Sequence, residues 1–317
     1  MTIMLFGIGT VLMLHRVQPE RESDFSPNGD MAVSPRFLEG FIRDAQQRGY
    51  TFVSLDYLSE QLMVGSGEKL LALTFDDGYR DNFTVAYPLL KRLNIPFAIY
   101  VTTSFPDGEA VLWWYAVEGL LQGHDHITLA EGRVLPCRTT QEKLDAFVFL
   151  RQSIMALSSD GLEGEVNAML GLADFDWRQM CVAEALSWDD LCTLALDPLV
   201  TIGAHTVTHP VLAELSAEQA CAEMRNSRER IEARIGVPVT HFCYPFGSRD
   251  EVGTREFDLA RKLGFKTATT TRWGNIFRAH RAHLHGLPRV PLTNAFSWDG
   301  FRRQSLRRFW RGRVVSA

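Results

Sequence analysis

Short apolar runs alternate with amphipathic helical stretches along most of this chain, which limits it to folds with parallel strands joined by helical crossovers. The runs fall at residues 11–14, 51–55, 70–75, 97–102, 200–203, 241–244, 265–269 and 287–290. Between them, Ser34-Pro35 reads as an N-cap followed by proline in the first helical turn. Phe37, Leu38, Phe41, Ile42 and Ala45 then share one face, and Gly49 is the stop. Ala86, Leu89, Leu90 and Leu93 mark a second helix. Ser216, with Gln219 three residues on, opens a third that stops at Gly236. A barrel or a doubly wound sheet satisfies this order. Either one gathers the C-terminal strand ends on one face, so the residues just after each run are where chemistry is expected.

Residues 104–187 interrupt the alternation. They hold helical patterns, with Phe147, Leu150, Ile154 and Leu157 on one face, and few strand signals. So long a structureless loop is improbable, and the segment reads as a helical insertion or lid on a single domain spanning 1–317. Trp113-Trp114 near its start suits either a sugar face or a core. His124 and His126 have ligand-like spacing but no companions, and read as surface loop.

Composition narrows the class of function. A net charge of −5, with 46% hydrophobic and 22% charged residues, fits a soluble globular chain and gives no reason to expect nucleic acid. The five cysteines form no CxxC pair, so neither thiolate zinc nor a disulfide framework is expected, and a reducing, cytoplasmic compartment is the simpler reading. The apolar N-terminus lacks a basic region and a small-x-small cleavage site. It reads as a buried first strand rather than a signal peptide.

Two motifs carry chemistry. Asp76, Asp77 and Gly78 directly follow an apolar run, and adjacent carboxylates there oppose joint ionisation unless a cation stabilises one of them. His205 and His209 follow another run, four residues apart. Each motif alone is as well explained by a turn or a structural histidine pair. Together, at equivalent strand ends, two imidazoles and one carboxylate make the usual ligand count for a catalytic divalent ion with an open position.

These motifs resemble those of the polysaccharide deacetylase superfamily, the NodB-homology or carbohydrate esterase family four group. Thr74-Phe-Asp-Asp-Gly78 is similar to its first motif, His205-x-x-x-His209 to its second, and His241-Phe-Cys-Tyr-Pro-Phe-Gly247 to its third. The resemblance covers most of residues 10–103 and 187–295. It implies a deformed (β/α)7 barrel that hydrolyses N-acetyl, sometimes O-acetyl, groups on glycans. It also implies Asp76 as base, Asp77, His205 and His209 as ligands of one divalent ion, with Zn2+ suiting two imidazoles and a carboxylate, and an oxyanion site in the turn Tyr244, Pro245, Phe246, Gly247.

The pattern departs from the family in two places. Many members carry arginine where this chain has Cys243, and Arg272 or Arg289 could replace it. The C-terminal histidine motif is indistinct, although His283 and His285 lie near its place. Members acting on poly-N-acetylglucosamine carry that histidine near the N-terminus, and Val11-Leu-Met-Leu-His15-Arg-Val17 is similar to that arrangement. His15 is therefore the candidate acid for the departing amine. The expected substrate is an N-acetylated amino-sugar glycan. A lipid-linked glycan or other small amide, or an O-acetyl glycan, are the alternatives.

The C-terminal residues 301–317 contain six Arg and no acidic residue. With Phe301, Leu306, Phe309 and Trp310 on one helical side, residues 301–313 could lie peripherally on an anionic membrane at its inner face, or pack on the acidic body.

Overall fold

The computed structural model describes residues 7–20, 24–65, 69–157, 161–172 and 175–310. Seven parallel strands close into a barrel: β1 (Gly9–Leu14), β2 (Leu70–Phe75), β3 (Phe97–Val101), β4 (Val200–Ala204), β5 (His241–Cys243), β6 (Thr267–Trp273) and β7 (Leu287–Pro291). Each strand pairs with its successor, and β7 and β2 flank β1 to complete the ring. This is the (β/α)7 architecture expected. The strands are apolar almost throughout because helices cover them outside and side chains fill them inside. In β2 all six residues are buried.

Local signals set the helices. Ser34 Oγ accepts from Phe37 N to cap Pro35–Gln47, whose Leu38, Phe41, Ile42 and Ala45 are buried. Ser216 and Gln219 form a reciprocal capping box for Ala217–Ile235, which ends at Gly236 in the left-handed region. One element differs from expectation. The run at 51–55 is a strand only over Thr51–Phe52, because Ser54 caps a helix, Leu55–Val64, that buries Leu55, Leu58 and Leu62. A serine followed by apolar residues at helical spacing outweighs the β-branched start of that run.

The insertion is mainly helical, as expected. It comprises Trp113–Gly123, Thr140–Met155, Leu162–Leu170 and Trp177–Glu184, with an antiparallel hairpin of His126–Thr128 and Val134–Pro136 that its composition did not signal. Val117, Leu121, Leu150, Ile154 and Val166 build a core there, separate from the barrel's. His124 and His126 are exposed on it.

The C-terminal helix Trp298–Trp310 does not present Phe301 to its surroundings. That ring is 5% exposed and packs against Trp273, Phe296 and Trp298, while Ser305 Oγ accepts from buried Asn275 Nδ2. The barrel offers Phe301 an aromatic seat, so the packing alternative holds for this turn. Arg311 and Arg313 lie outside the described residues, as do Met1 to Phe6 of the apolar N-terminus. No described helix is long and apolar enough to cross a membrane.

Candidate active site

Parallel register brings the two motifs to one rim. Leu14 pairs with Phe75, so His15 and Asp76 emerge side by side from β1 and β2. Val101 pairs with Ala204, and Ala204 sits opposite Phe242, which sets His205 beside the end of β5. The rim backbone is held in unusual conformations. Of six described non-glycine residues with positive φ, four are Asp77, Thr206, His209 and Phe246. Such outliers persist where surrounding contacts over-determine them. Part of that surround is Glu223, which accepts from Val207 N, Thr208 N and Thr208 Oγ1 and so shapes the loop between the histidines.

Asp77 Oδ1 is the centre of the site. It is buried without a hydrogen-bond partner and lies 3.4 Å from both His205 Nε2 and His209 Nε2. His205 Nδ1 sits 2.7 Å from Cys243 O, a carbonyl that can only accept, so Nδ1 carries a proton and Nε2 faces the carboxylate. Burial lowers this imidazole, but Cys243 and Asp77 outweigh it and raise it well above its ordinary range. Two imidazole Nε2 atoms and one carboxylate oxygen converging at the edge of a cavity form a donor set that a divalent ion satisfies in place of the imidazole proton. These residues therefore fit a divalent ion, with Cys243 O orienting one ligand from behind. Burial raises the Asp77 carboxyl, but His205, His209 and His15 outweigh it and hold it well below its ordinary range. Burial keeps the His209 imidazole neutral, down at about 4 despite Asp77.

Asp76 plays a different part. Arg289 Nη1 donates to its Oδ1 at 2.6 Å and Nη2 to its Oδ2 at 2.7 Å, and Nη2 also approaches Cys243 Sγ at 3.0 Å. Of the two arginines considered for the place left by Cys243, Arg289 fills it. Arg272 instead donates to Val252 O and lies over the Phe257 ring. Burial raises the Asp76 carboxyl, but the Arg289 charge and hydrogen bonds prevail and its net shift is downward.

His15 lines the cavity with Asp76 and Asp77. Its carbonyl accepts from Asn82 Nδ2 at 2.9 Å, and the next residues are tied to Asp81, whose oxygens accept from Arg16 Nε and Val17 N. Arg16 also reaches Glu184 of the insertion and lies over the Tyr79 ring. Sequence reading missed Asp81, Asn82 and Glu223. For the first two, proximity to Asp77 was the available signal. His283 and His285 are corrected: neither lines the cavity, and His285 Nε2 pairs with Phe265 O.

The turn at 244–247 is narrower in its chemistry than expected. Tyr244 N donates to Thr269 O, its hydroxyl donates to His285 O, and Gly247 N donates to Pro245 O. Pro245 has no N–H. The Phe246 N–H is thus the one amide of the turn that the described hydrogen bonds leave free, and its ring packs 4.9 Å from His209. Gly247 is required there, since it has φ +66 and a Cβ would lie 2.8 Å from Thr271 N. Above this floor the insertion contributes Phe105, Trp113, Trp114, Phe147, Arg151 and Leu162 to a cavity of ≈ 500 Å³. Both tryptophans therefore face the cavity, Trp113 from within the insertion's core.

A sequence profile described as polysaccharide deacetylase matches residues 64–131 and 138–268, more than half the chain. The chain belongs to the polysaccharide deacetylase family. The match ends short of both His15 and Arg289. The protein YxkH of Bacillus subtilis (strain 168) is 20% identical to this deacetylase over 293 residues, 92% of this chain and 74% of its own. The Streptococcus pyogenes deacetylase PplD, solved in complex with acetate, superposes with a TM-score of 0.61 at 17% identity. It covers 93% of this chain and 96% of its own. IcaB from Ammonifex degensii gives 0.60 at 18%, covering 95% and 97%. These two likenesses establish the polysaccharide deacetylase fold over nearly the whole chain.

Proposed function

We infer that the chain is a metal-dependent hydrolase that removes N-acetyl groups from an amino-sugar glycan. The observation that carries this reading is the partnerless Asp77 Oδ1 between two imidazole nitrogens, one residue from a carboxylate held by Arg289. A divalent ion, Zn2+ by ligand type, held by Asp77, His205 and His209 supplies Lewis acidity and makes water acidic enough to deprotonate near neutral pH. Asp76 is then the base: it is not needed as a ligand, and Arg289 keeps it ionised and aimed into the cavity. Phe246 N–H donates to the developing oxyanion, and His15 gives its proton to the amine as the C–N bond breaks. Water and amide become acetate and free amine, with the proton moving from Asp76's side of the cavity to His15's.

Acetate release from chitooligosaccharides, poly-N-acetylglucosamine and acetylated xylan, with and without a chelator, tests the reading. Release from an amino-sugar substrate, lost on chelation and restored by a divalent ion, is expected. Release confined to xylan, or insensitive to chelation, would replace it.

A further inference from the structure

The two histidines of the site are held by different means. The His205 ring is backed by Cys243 O and follows directly on β4, whose last residue, Ala204, is buried. His209 has no such backing among the described hydrogen bonds. Its backbone N donates to Thr206 Oγ1 at 3.1 Å, and its ring meets those of His205 and Phe246, each with centroids 4.9 Å away. The position of its Nε2, 3.4 Å from Asp77 Oδ1, is therefore set by the backbone of residues 206–209.

That backbone needs support. Thr206 and His209 have φ of 68° and 61°, a region costly for residues with a Cβ. On one side the loop is tied to the segment after β3, where Thr103 N donates to Thr206 O and Ser104 N to Val207 O. On the other side stands Glu223. Val207 N donates to its Oε2 at 2.7 Å and Thr208 N to the same oxygen at 3.0 Å, while Thr208 Oγ1 donates to Oε1 at 3.1 Å. One carboxylate thus takes three donors from the two residues that separate the left-handed pair. It is itself fixed, because its helix, Ala217–Ile235, buries Ala220, Met224 and Ile231 in the barrel's core. Without it two amides lose their acceptor, and the loop is free to relax and carry His209 away from Asp77.

Resting on the metal-dependent reading above, we propose that Glu223 is a positioning residue for the metal site. It holds His209 Nε2 beside Asp77 and His205, and so sets the affinity for the divalent ion without touching it. Supports behind a ligand typically change metal affinity by about 10–100-fold. The role depends on reach, because the contacts are to two amides and a hydroxyl. A glutamine keeps the reach: its carbonyl accepts from both amides and its NH2 donates to Thr208 Oγ1. An aspartate keeps the charge but falls one methylene short, about 1.5 Å.

The Zn2+ affinity of the metal-free full chain, measured by competition with a chromophoric chelator, tests this. Glu223→Asp should weaken Zn2+ binding by about tenfold or more, and Glu223→Gln should recover most of that loss. Should Glu223→Asp not fold, Glu223→Ala, which favours the helix, takes its place with the same expectation. Glu232→Ala is the control. Glu232 lies on the same helix and accepts from Val239 N at 2.8 Å, so its loss breaks a like contact outside the loop between the histidines and should leave Zn2+ affinity at the wild-type value. Wild-type affinity in Glu223→Asp overturns the proposal and leaves the metal site standing. So does a loss in Glu223→Gln or in Glu232→Ala as large as in Glu223→Asp. No Zn2+ binding by the wild type overturns the metal reading itself, and the proposal with it.

Discussion

Arg289 grips Asp76 through two parallel hydrogen bonds, 2.6 and 2.7 Å long, between side chains that are 0% and 3% exposed and 213 residues apart in sequence. A fork of this kind fixes a carboxylate's orientation as well as its charge. Truncating one partner of a buried pair strands the other's charge, so Arg289→Met should cost about 3–5 kcal/mol of stability and nearly all turnover. Arg289→Lys keeps the charge without the fork and should fall between. Chemical denaturation and acetate release, measured on both variants, check this; a fully active Arg289→Met would remove Arg289 from the site's function.

The ligand roles separate from the base role by metal content. His205→Ala and His209→Ala should lose bound divalent ion, whereas Asp76→Asn should retain it and lose turnover. Elemental analysis of the purified variants decides the matter. Metal lost from Asp76→Asn and kept in Asp77→Asn would exchange the two carboxylates.

His15→Ala should lower kcat by about 10² or more on an amide substrate, within the usual reach of general acid catalysis. An ester of the same sugar should suffer less, since an alkoxide leaves more readily than an amide anion. Equal losses on both would make His15 structural.

His280 gives a pH dependence away from the site. It is 2% exposed, accepts from Phe277 N through Nδ1, and burial lowers its imidazole from 6.5 to about 4. The unfolded chain therefore binds the extra proton first. The stabilisation is complete above about pH 6.5 and is lost as pH falls towards 4, by at most about 3 kcal/mol. In His280→Asn, whose Oδ1 can replace Nδ1 as acceptor, this part of the acid destabilisation should vanish. Denaturation curves of both proteins at pH 7 and pH 4.5 measure the difference. Identical pH slopes would show that His280 does not titrate on unfolding.

What the sequence determined by itself was local in origin. Caps such as Ser34 and Ser216 satisfy amides within three residues, and runs such as 70–75 are apolar because both faces of a barrel strand are covered. The placement of Asp76, Asp77, His205 and His209 at strand ends follows from those runs, so the core of the site was legible before any coordinates. Tertiary structure decided the rest. Arg289 lies in a plain apolar strand with nothing nearby in sequence to mark it, and its role exists only because β7 closes the ring beside β1 and β6. His15 lines the cavity where His283 and His285 do not for the same reason, through the register of β1 against β2. Phe301 looked available to a membrane until Trp273 and Phe296 covered it. Periodicity and capping act over a few residues and can be read from the chain. Pairing across two hundred residues depends on which surfaces the closed barrel brings together, and no local pattern encodes that.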